Sequence, residues 1–380
     1  MATVERRARD GKVSYRVRYR DPSGAQRSKS FTRKGDADRY AREIESSKDK
    51  GNYVNPRGGK ITFGDLAERW YATTASQRPS TRYVLRNVLN NHVLPAFGNL
   101  PINRIDRLMV SELLASKSQS GSGAGLVRTI HLIIKGVLNA GVDANLLAVN
   151  AAEGVRLPKM IRHEMRFLTP VEVDRLARTI REPYGVLIHT LAYTGLRWSE
   201  LVALKVGRID LLNRRLEVVE ATVRVGGKLY TNPPKSGKRR TVGLTRSLAE
   251  ELGAYLSDRP HGPDDLVFTS TKGGYPLRSN VFSRSWQPAI RAAGLEPLRI
   301  HDLRHTAASI MLAESRGDWK WVAKQLGHSN ASMTLDRYGH LLPQREDEYL
   351  DRLDQARAAA VGEVWPERGP KVIELPRKGA

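Results

Sequence analysis

Hydrophobic positions along this 380-residue chain change their period from one region to the next. From Val13 onward, Tyr15, Val17 and Tyr19 point one way and Ser14, Arg16, Arg18 and Arg20 the other. That period of two predicts a half-buried strand. "DPSG" (21–24) reads as a turn, "QRSKSF" as a second strand and 36–47 as a helix. A small sheet with one arginine-lined face is expected, and a solvated sheet face is the plain alternative to a DNA contact there. "GNYVNPRGGK" (51–60) is Gly/Pro/Asn-dense and reads as a linker. Beyond it apolar residues recur every three or four positions, predicting helices over 62–75, 80–94, 106–116 and 124–144. Thr62 is the candidate N-cap of the first, followed by Phe63, Leu66 and Trp70. "SQSGSGAG" (118–125) is a flexible loop between the last two. Their polar faces carry Arg69, Arg82, Arg86, Arg128 and Lys135.

A basic, proline-bounded connector (156–170) leads to a region that mixes both periods. "TPVEVDRLARTI" starts a helix with Pro170 in its first turn. "YGVLIHTLAYTGLRWSELVAL" predicts two helices broken at Thr194-Gly195. "RLEVVEATVR", "KLYTN" and "KRRTVGL" predict strands, with "PPKSG" (233–237) as the hairpin turn before the last. After 276 the pattern is helical to about 342, where Pro343 is expected to end the element. A tail helix is expected over 345–361, with Tyr349, Leu350, Leu353, Ala356 and Ala360 near helical spacing. The predicted fold class is therefore multidomain, mainly α with small β-sheets (α+β). Its expected parts are 1–55, a helical domain 61–155, a mixed α/β domain 165–345 and a tail 346–380.

Composition narrows the chemistry. Cysteine is absent, which excludes disulfides, thiolate nucleophiles and cysteine-ligated metals. No run of about 18 apolar residues predicts a membrane span. The N-terminal "MATVERRARDGK" has no apolar signal core. A cytoplasmic protein without membrane attachment is expected. The formal net charge is +23. Residues 1–60 hold 17 Lys/Arg against 8 Asp/Glu, 61–165 hold 12 against 7, and 166–345 hold 28 against 17. Only the tail reverses the balance, with 6 against 8. An excess spread over every body segment favours a long polyanion, nucleic acid, over a single acidic partner.

Four stretches of the third region concentrate unusual side chains: "TGLRWSEL" (194–201), "PPKSGKRR" (233–240), "HDLRHTAAS" (301–309) and "LGHSNASMTLDRYGH" (326–340). Taken singly, Arg197 is a surface arginine paired with Glu200, Lys235 a solvated turn lysine, and Tyr338 a packing residue. Together they meet one chemical demand. A phenol has a pKa of about 10, so attack at neutral pH needs a base or cationic surroundings. Attack on a phosphodiester builds charge that guanidinium groups match geometrically, and the departing alkoxide needs a proton. Arg197, Arg304, Lys235, His301, His328 and Tyr338 form a metal-free set for that chemistry. His301 and His305 are spaced to share zinc, but "HDLRH" has Asp where a metalloprotease motif has Glu, and no third ligand stands out. The acids in these stretches are single, unlike the carboxylate cluster of a two-metal nuclease, and no Walker-type loop is present.

These four stretches, in this order, resemble the tyrosine recombinases, specifically the integrases of phages and integrative elements. The resemblance is strong over 165–345. It is looser over 61–155, which resembles the helical core-binding (SAM-like) domain, and over 1–55, which resembles the small arm-binding domain. It implies that Tyr338 is the nucleophile of a 3′-phosphotyrosyl intermediate. Arg197 and Arg304 would hold the phosphate, and Lys235 would protonate the leaving 5′ oxygen, with Lys238 its rival. His301 would assist as base, His328 would bond a phosphate oxygen, and Glu200 would orient the basic groups. His305 is not among the expected catalytic positions and reads as a packing or DNA-backbone residue; His340 stays unassigned. Arg16, Arg18, Arg20, Arg82, Arg86 and Arg128 are the candidate DNA contacts. No cofactor is implied. Expected partners are double-stranded core- and arm-type attachment sites, a homotetramer and a Holliday junction. An excisionase or directionality factor and a DNA-bending host protein are the accessory partners left open. The tail helix would dock on a neighbouring protomer, with a local cap on its own domain as the alternative. A Xer-like dimer resolvase and a non-catalytic DNA-binding regulator are the alternatives.

Overall fold

The computed structural model describes the chain apart from residues 1, 10–11, 22–23, 50–52, 54–57, 161–164, 236, 259, 271–273, 277–280, 329, 331, 340–345 and 362–380. The readings of His340, Pro343 and most of the 51–60 linker lie outside the described residues, as does the side chain of Tyr349. The chain divides into two compact units. One is Met1–Glu164 with Val223–Tyr230; the other is Met165–Thr222 with Thr231–Ala380.

The first unit opens with an antiparallel sheet of β1 (Thr3–Arg9), β2 (Lys12–Arg20) and β3 (Gln26–Phe31) in that order, followed by α1 (Lys34–Asp49). The alternation of β2 is realised: Val17 and Tyr19 are buried, with Ala37, Ile44 and Tyr53, while Arg20 is exposed. The expected two strands become three. "TVERRAR" has too few apolar positions to announce a strand, and it forms one because β2 offers it a partner, pairing Val4 with Val17.

Four longer helices follow, α2 (Phe63–Thr73), α3 (Pro79–Val88), α5 (Arg107–Gln119) and α6 (Ala124–Asp143), with a short α4 (Leu94–Phe97). Thr62 caps α2 by accepting from the Asp65 N–H at 3.1 Å. The single helix expected over 80–94 is instead α3, a π-turn at Leu89–Val93, and α4. In α6, Val127, Ile130, Ile133, Ile134, Val137 and Leu138 are buried at spacings of three and four. Among the described residues α6 is the one helix long and apolar enough to cross a bilayer, and this stripe is the core of the helical domain.

The second unit contains α7 (Pro170–Thr179), α8 (Gly185–Thr194) and α9 (Trp198–Leu201), then β4 (Ile209–Asp210), β5 (Arg215–Val218) and β8 (Arg240–Gly243); between β5 and β8 the chain forms β6 (Ala221–Val225) and β7 (Lys228–Asn232), most of which falls in the Val223–Tyr230 stretch of the first unit. Helices α10 (Arg246–Ser257), α11 (Gln287–Ala292), α12 (Asp302–Glu314), α13 (Trp319–Leu326), α14 (Ser332–Tyr338) and α15 (Glu346–Val361) complete it. Thr169 and Glu172 close a reciprocal capping box on α7.

Three strand and helix readings are corrected here. "RLEVVEATVR" is two strands, β5 and β6. Segment 233–239 is a connector between sheets rather than a hairpin turn, because β8 pairs with β5 while β6 pairs with β7. Local pattern could not show this, since the pairing joins segments more than twenty residues apart. No helix is expected over Arg246–Ser257, where α10 forms; the helical pattern expected after 276 is met by several short helices.

The main core of this unit gathers Leu176, Leu187, Ile188, Leu191, Leu216, Val242, Leu252 and Trp286. A second cluster joins Ala307, Ala308, Met311, Leu312, Val322, Leu326 and Tyr338, with Phe167 packed against it. On α15, Leu350 and Leu353 are exposed.

Candidate active site

The break after α8 positions the first arginine. Gly195 ends the helix at φ +66, and a Cβ there would run into Leu326 Cδ2. Only glycine meets both conditions. Two residues on, Arg197 is the N-cap of α9. Glu200, one turn in, accepts from the Arg197 backbone N–H at 3.0 Å and from Arg197 Nη1 at 2.8 Å.

The Glu200 side chain is wholly buried, and it has a second partner. Arg240, at the start of β8, donates Nη1 to Oε1 at 3.1 Å and Nη2 to Oε2 at 2.7 Å. Burial pushes the Glu200 carboxyl up, but the hydrogen bonds and charges of Arg240 and then Arg197 outweigh it and hold the pKa at about 2. The carboxylate is therefore ionised at neutral pH.

Arg304, in the first turn of α12, is 3% exposed. It donates Nη1 to the Gly195 carbonyl and Nη2 to the Leu326 carbonyl, the latter at 2.8 Å. Burial and then the neighbouring Arg197 charge pull its pKa down to about 9, against the opposing pull of Glu200. It remains a cation at pH 7. Arg240 Nε donates to the Gln325 carbonyl at 3.1 Å. Two cations thus meet the carbonyl end of α13, where the helix dipole is negative. Gly327 caps that end at φ +67, and a Cβ there would lie 2.7 Å from Arg240 Cδ. The glycines of "TGLR" and "LGH" are both set by close approach to this centre.

Tyr338 ends α14 and is 1% exposed, its ring 6.4 Å from that of Phe167. Its hydroxyl and His305 Nδ1 lie 2.6 Å apart, in a buried hydrogen bond. His301 is exposed just before α12, with its ring 4.9 Å from the His305 ring. His328 Nδ1 and Thr334 Oγ1 lie 2.7 Å apart. Lys235 and Lys238 are both exposed on the β7–β8 connector. Among the described residues, no three His, Asp or Glu side chains are grouped as a metal would need.

The sequence therefore named Arg197, Glu200, Arg304 and Tyr338, which the fold gathers, and His301 and His328 on the flanking turns. It missed Arg240 and read His305 as a packing or DNA-backbone residue, whereas His305 holds the Tyr338 hydroxyl. Strand alternation could have found Arg240, because it shares the inward parity of Val242 and Leu244.

The candidate DNA arginines differ in how committed they already are. Arg16 donates to Ser28 Oγ at 2.7 Å, and Arg18 pairs with Glu5 at 3.0 Å. Arg20 is exposed. Arg86 grips Glu68 with two nitrogens and stacks 3.8 Å over the Tyr71 ring, with Arg82 at 4.9 Å from the same ring. Arg128 donates to the Pro158 carbonyl at 3.0 Å.

The model for the phage integrase family matches residues 166–345, and that for the phage integrase N-terminal SAM-like domain matches 62–116. The ICEBs1 integrase of Bacillus subtilis (strain 168) is 25% identical over 309 residues, 77% of this chain and 83% of that protein. The tyrosine recombinase XerC of Proteus mirabilis is 33% identical over 240 residues, 61% of this chain and 73% of that protein. Among solved structures, the Tn1549 transposon integrase with circular intermediate DNA superposes at a TM-score of 0.65 and 20% identity, over 77% of this chain and 99% of that one. A lambda integrase dimer on a COC′ core site does so at 0.57 and 17%, over 87% and 93%. With these motifs, this fold and these relatives, the chain belongs to the phage integrase family and is a tyrosine-type site-specific recombinase.

Proposed function

We propose that the chain integrates and excises a mobile element by cutting and rejoining double-stranded DNA through a tyrosyl intermediate. The Tyr338 oxygen attacks the scissile phosphorus, the bond to the 5′ oxygen breaks, and a 3′-phosphotyrosyl link forms. The phenolic proton passes to a base, His301, and the leaving 5′ oxygen takes a proton from Lys235. Arg197 and Arg304 hold the phosphate, His328 bonds one of its oxygens, and Glu200 orients the guanidinium groups. The link conserves the bond energy, so a 5′-hydroxyl from a second strand can reverse the step.

The observation that carries this reading is the meeting of Tyr338 and Arg304 with the Arg197–Glu200–Arg240 cluster, on segments more than sixty residues apart in sequence. As folded here, Tyr338 and Arg304 are both buried, so a phosphate reaches the phenol only after α14 shifts. DNA binding supplies that shift in this reading.

Lambda integrase is solved as a tetramer on a Holliday junction, and the same assembly on core- and arm-type sites is proposed here. The Proteus mirabilis XerC relative favours a second reading, resolution of dimeric replicons. The basic three-stranded sheet at Thr3–Phe31 favours the integrase, since arm contacts need a separate DNA-binding element. A nicked suicide duplex tests the mechanism: wild-type protein is expected to form a covalent adduct that Tyr338→Phe lacks. An adduct that persists in Tyr338→Phe removes Tyr338 from the role.

A further inference from the structure

Arg240 lies outside the residues to which the proposed reaction gives work, yet it makes the firmest contacts in the site. It meets both Glu200 oxygens, whereas Arg197 reaches one of them with a single side-chain nitrogen. The Arg240 side chain is 8% exposed and that of Arg197 is 22% exposed. The fork-to-fork pairing with a wholly buried carboxylate is thus made by the more enclosed arginine, and the more accessible one keeps only one side-chain bond to it.

Charge follows the same division. Arg197, Arg240, Arg304 and Glu200 together carry a net charge of +2, and without Arg240 only +1. A phosphodiester carries one negative charge, and more develops on its non-bridging oxygens as the attacking oxygen adds. Arg240 also reaches the Gln325 carbonyl, while Gly243 N–H donates to Gln325 Oε1 at 3.0 Å. Strand β8 is thereby fastened to the end of α13 whose next carbonyl, Leu326, accepts from Arg304.

We infer that Arg240 is a positioning residue for DNA cleavage. It neutralises Glu200 so that the charge of Arg197 is available to the scissile phosphate. This inference rests on the reading of the site as a phosphodiester-cleaving centre.

Single-turnover cleavage of a nicked suicide duplex by the full-length protein tests it, with duplex binding measured alongside. Arg240→Met is expected to slow cleavage roughly 100-fold while binding changes less than about threefold. The double variant Glu200→Gln/Arg240→Met removes one charge of each sign and restores +2. It is expected to cleave at least about tenfold faster than Arg240→Met. If Arg240→Met is too unstable to assay, the double variant is compared with Glu200→Gln alone, and equal rates within about threefold are expected.

A double variant no faster than Arg240→Met makes Arg240 a brace only and overturns the inference. So does wild-type cleavage by Arg240→Met, or a double variant much slower than Glu200→Gln. A wild-type protein that forms no adduct, or an adduct retained by Tyr338→Phe, defeats the underlying reading as well. The two failures are therefore distinct.

Discussion

His305 Nδ1 and the Tyr338 hydroxyl share a buried hydrogen bond of 2.6 Å, between a helix that starts at Asp302 and one that ends at Tyr338. The residue after Arg304 in "HDLRH" therefore fixes where the phenol rests. Removing either partner loses this buried bond. His305→Ala removes this bond and leaves a cavity, and is expected to destabilise the protein by about 2–4 kcal/mol in urea unfolding. Tyr338→Phe keeps the ring packing and is expected to lose only about 1 kcal/mol while losing the covalent adduct. Equal losses in the two variants would mean that the bond, and not the packing, dominates.

Arg304 spans two carbonyls, Gly195 and Leu326, that belong to different helix ends. A lysine ammonium is a point donor without the planar fork, so Arg304→Lys is not a conservative change here. It is expected to cut single-turnover cleavage by about 100-fold or more, with the melting temperature lowered as well. A cleavage rate within about threefold of wild type would separate the two carbonyl contacts from the chemistry.

The Glu200 carboxyl is held at about 2, below the ordinary carboxylate value, by its two arginine partners acting against burial. A carboxyl depressed in the folded state contributes stability that is complete above its unfolded pKa of about 4.3. That contribution falls away as pH drops from there toward 2. Glu200→Gln should therefore flatten the stability profile between about pH 4.5 and pH 2, and lower stability at pH 7 by roughly 3–5 kcal/mol because Arg240 is left buried without its counter-ion. Denaturant melts across that pH range read the effect directly. An unchanged slope would assign the acid sensitivity to other carboxylates.

Gly327 sits at φ +67 against the Arg240 side chain. Gly327→Ala is expected to lose about 1–3 kcal/mol in urea unfolding, through left-handed strain and displacement of that guanidinium. Cleavage should fall with it, in proportion to the loss seen in Arg240 variants. Intact cleavage with lowered stability would show that the guanidinium recovers its place.

In the N-terminal sheet, Arg18 is partnered by Glu5, whereas Arg20 is exposed. Arg20→Ala should therefore reduce the salt dependence of arm-site binding by close to the full single-phosphate slope of about 0.9, and Arg18→Ala by less. Filter binding across salt concentrations distinguishes them. Equal slopes would show that the Glu5 pair opens on DNA.

Local signals were enough for much of this molecule. The alternation of Tyr15, Val17 and Tyr19, the three-and-four spacing along 124–143, the Thr62 cap and Pro170 in the first turn of its helix each depend on neighbours within a few residues, so the chain declares them. The ordered stretches "TGLRWSEL", "HDLRHTAAS" and "LGHSNASMTLDRYGH" named Arg197, Arg304 and Tyr338 because the chemistry of phosphate attack demands those residue types. What needed the tertiary structure was every pairing across long separations. β8 leaves its apparent hairpin for β5, "TVERRAR" becomes a strand only beside β2, Arg240 reaches Glu200 across 40 residues, and His305 meets Tyr338 across 33. Such contacts are set by which surfaces bury together, and a buried charge or hydroxyl takes whatever partner that burial brings. A one-dimensional pattern carries the propensity of each segment, but not the identity of the groups enclosed with it.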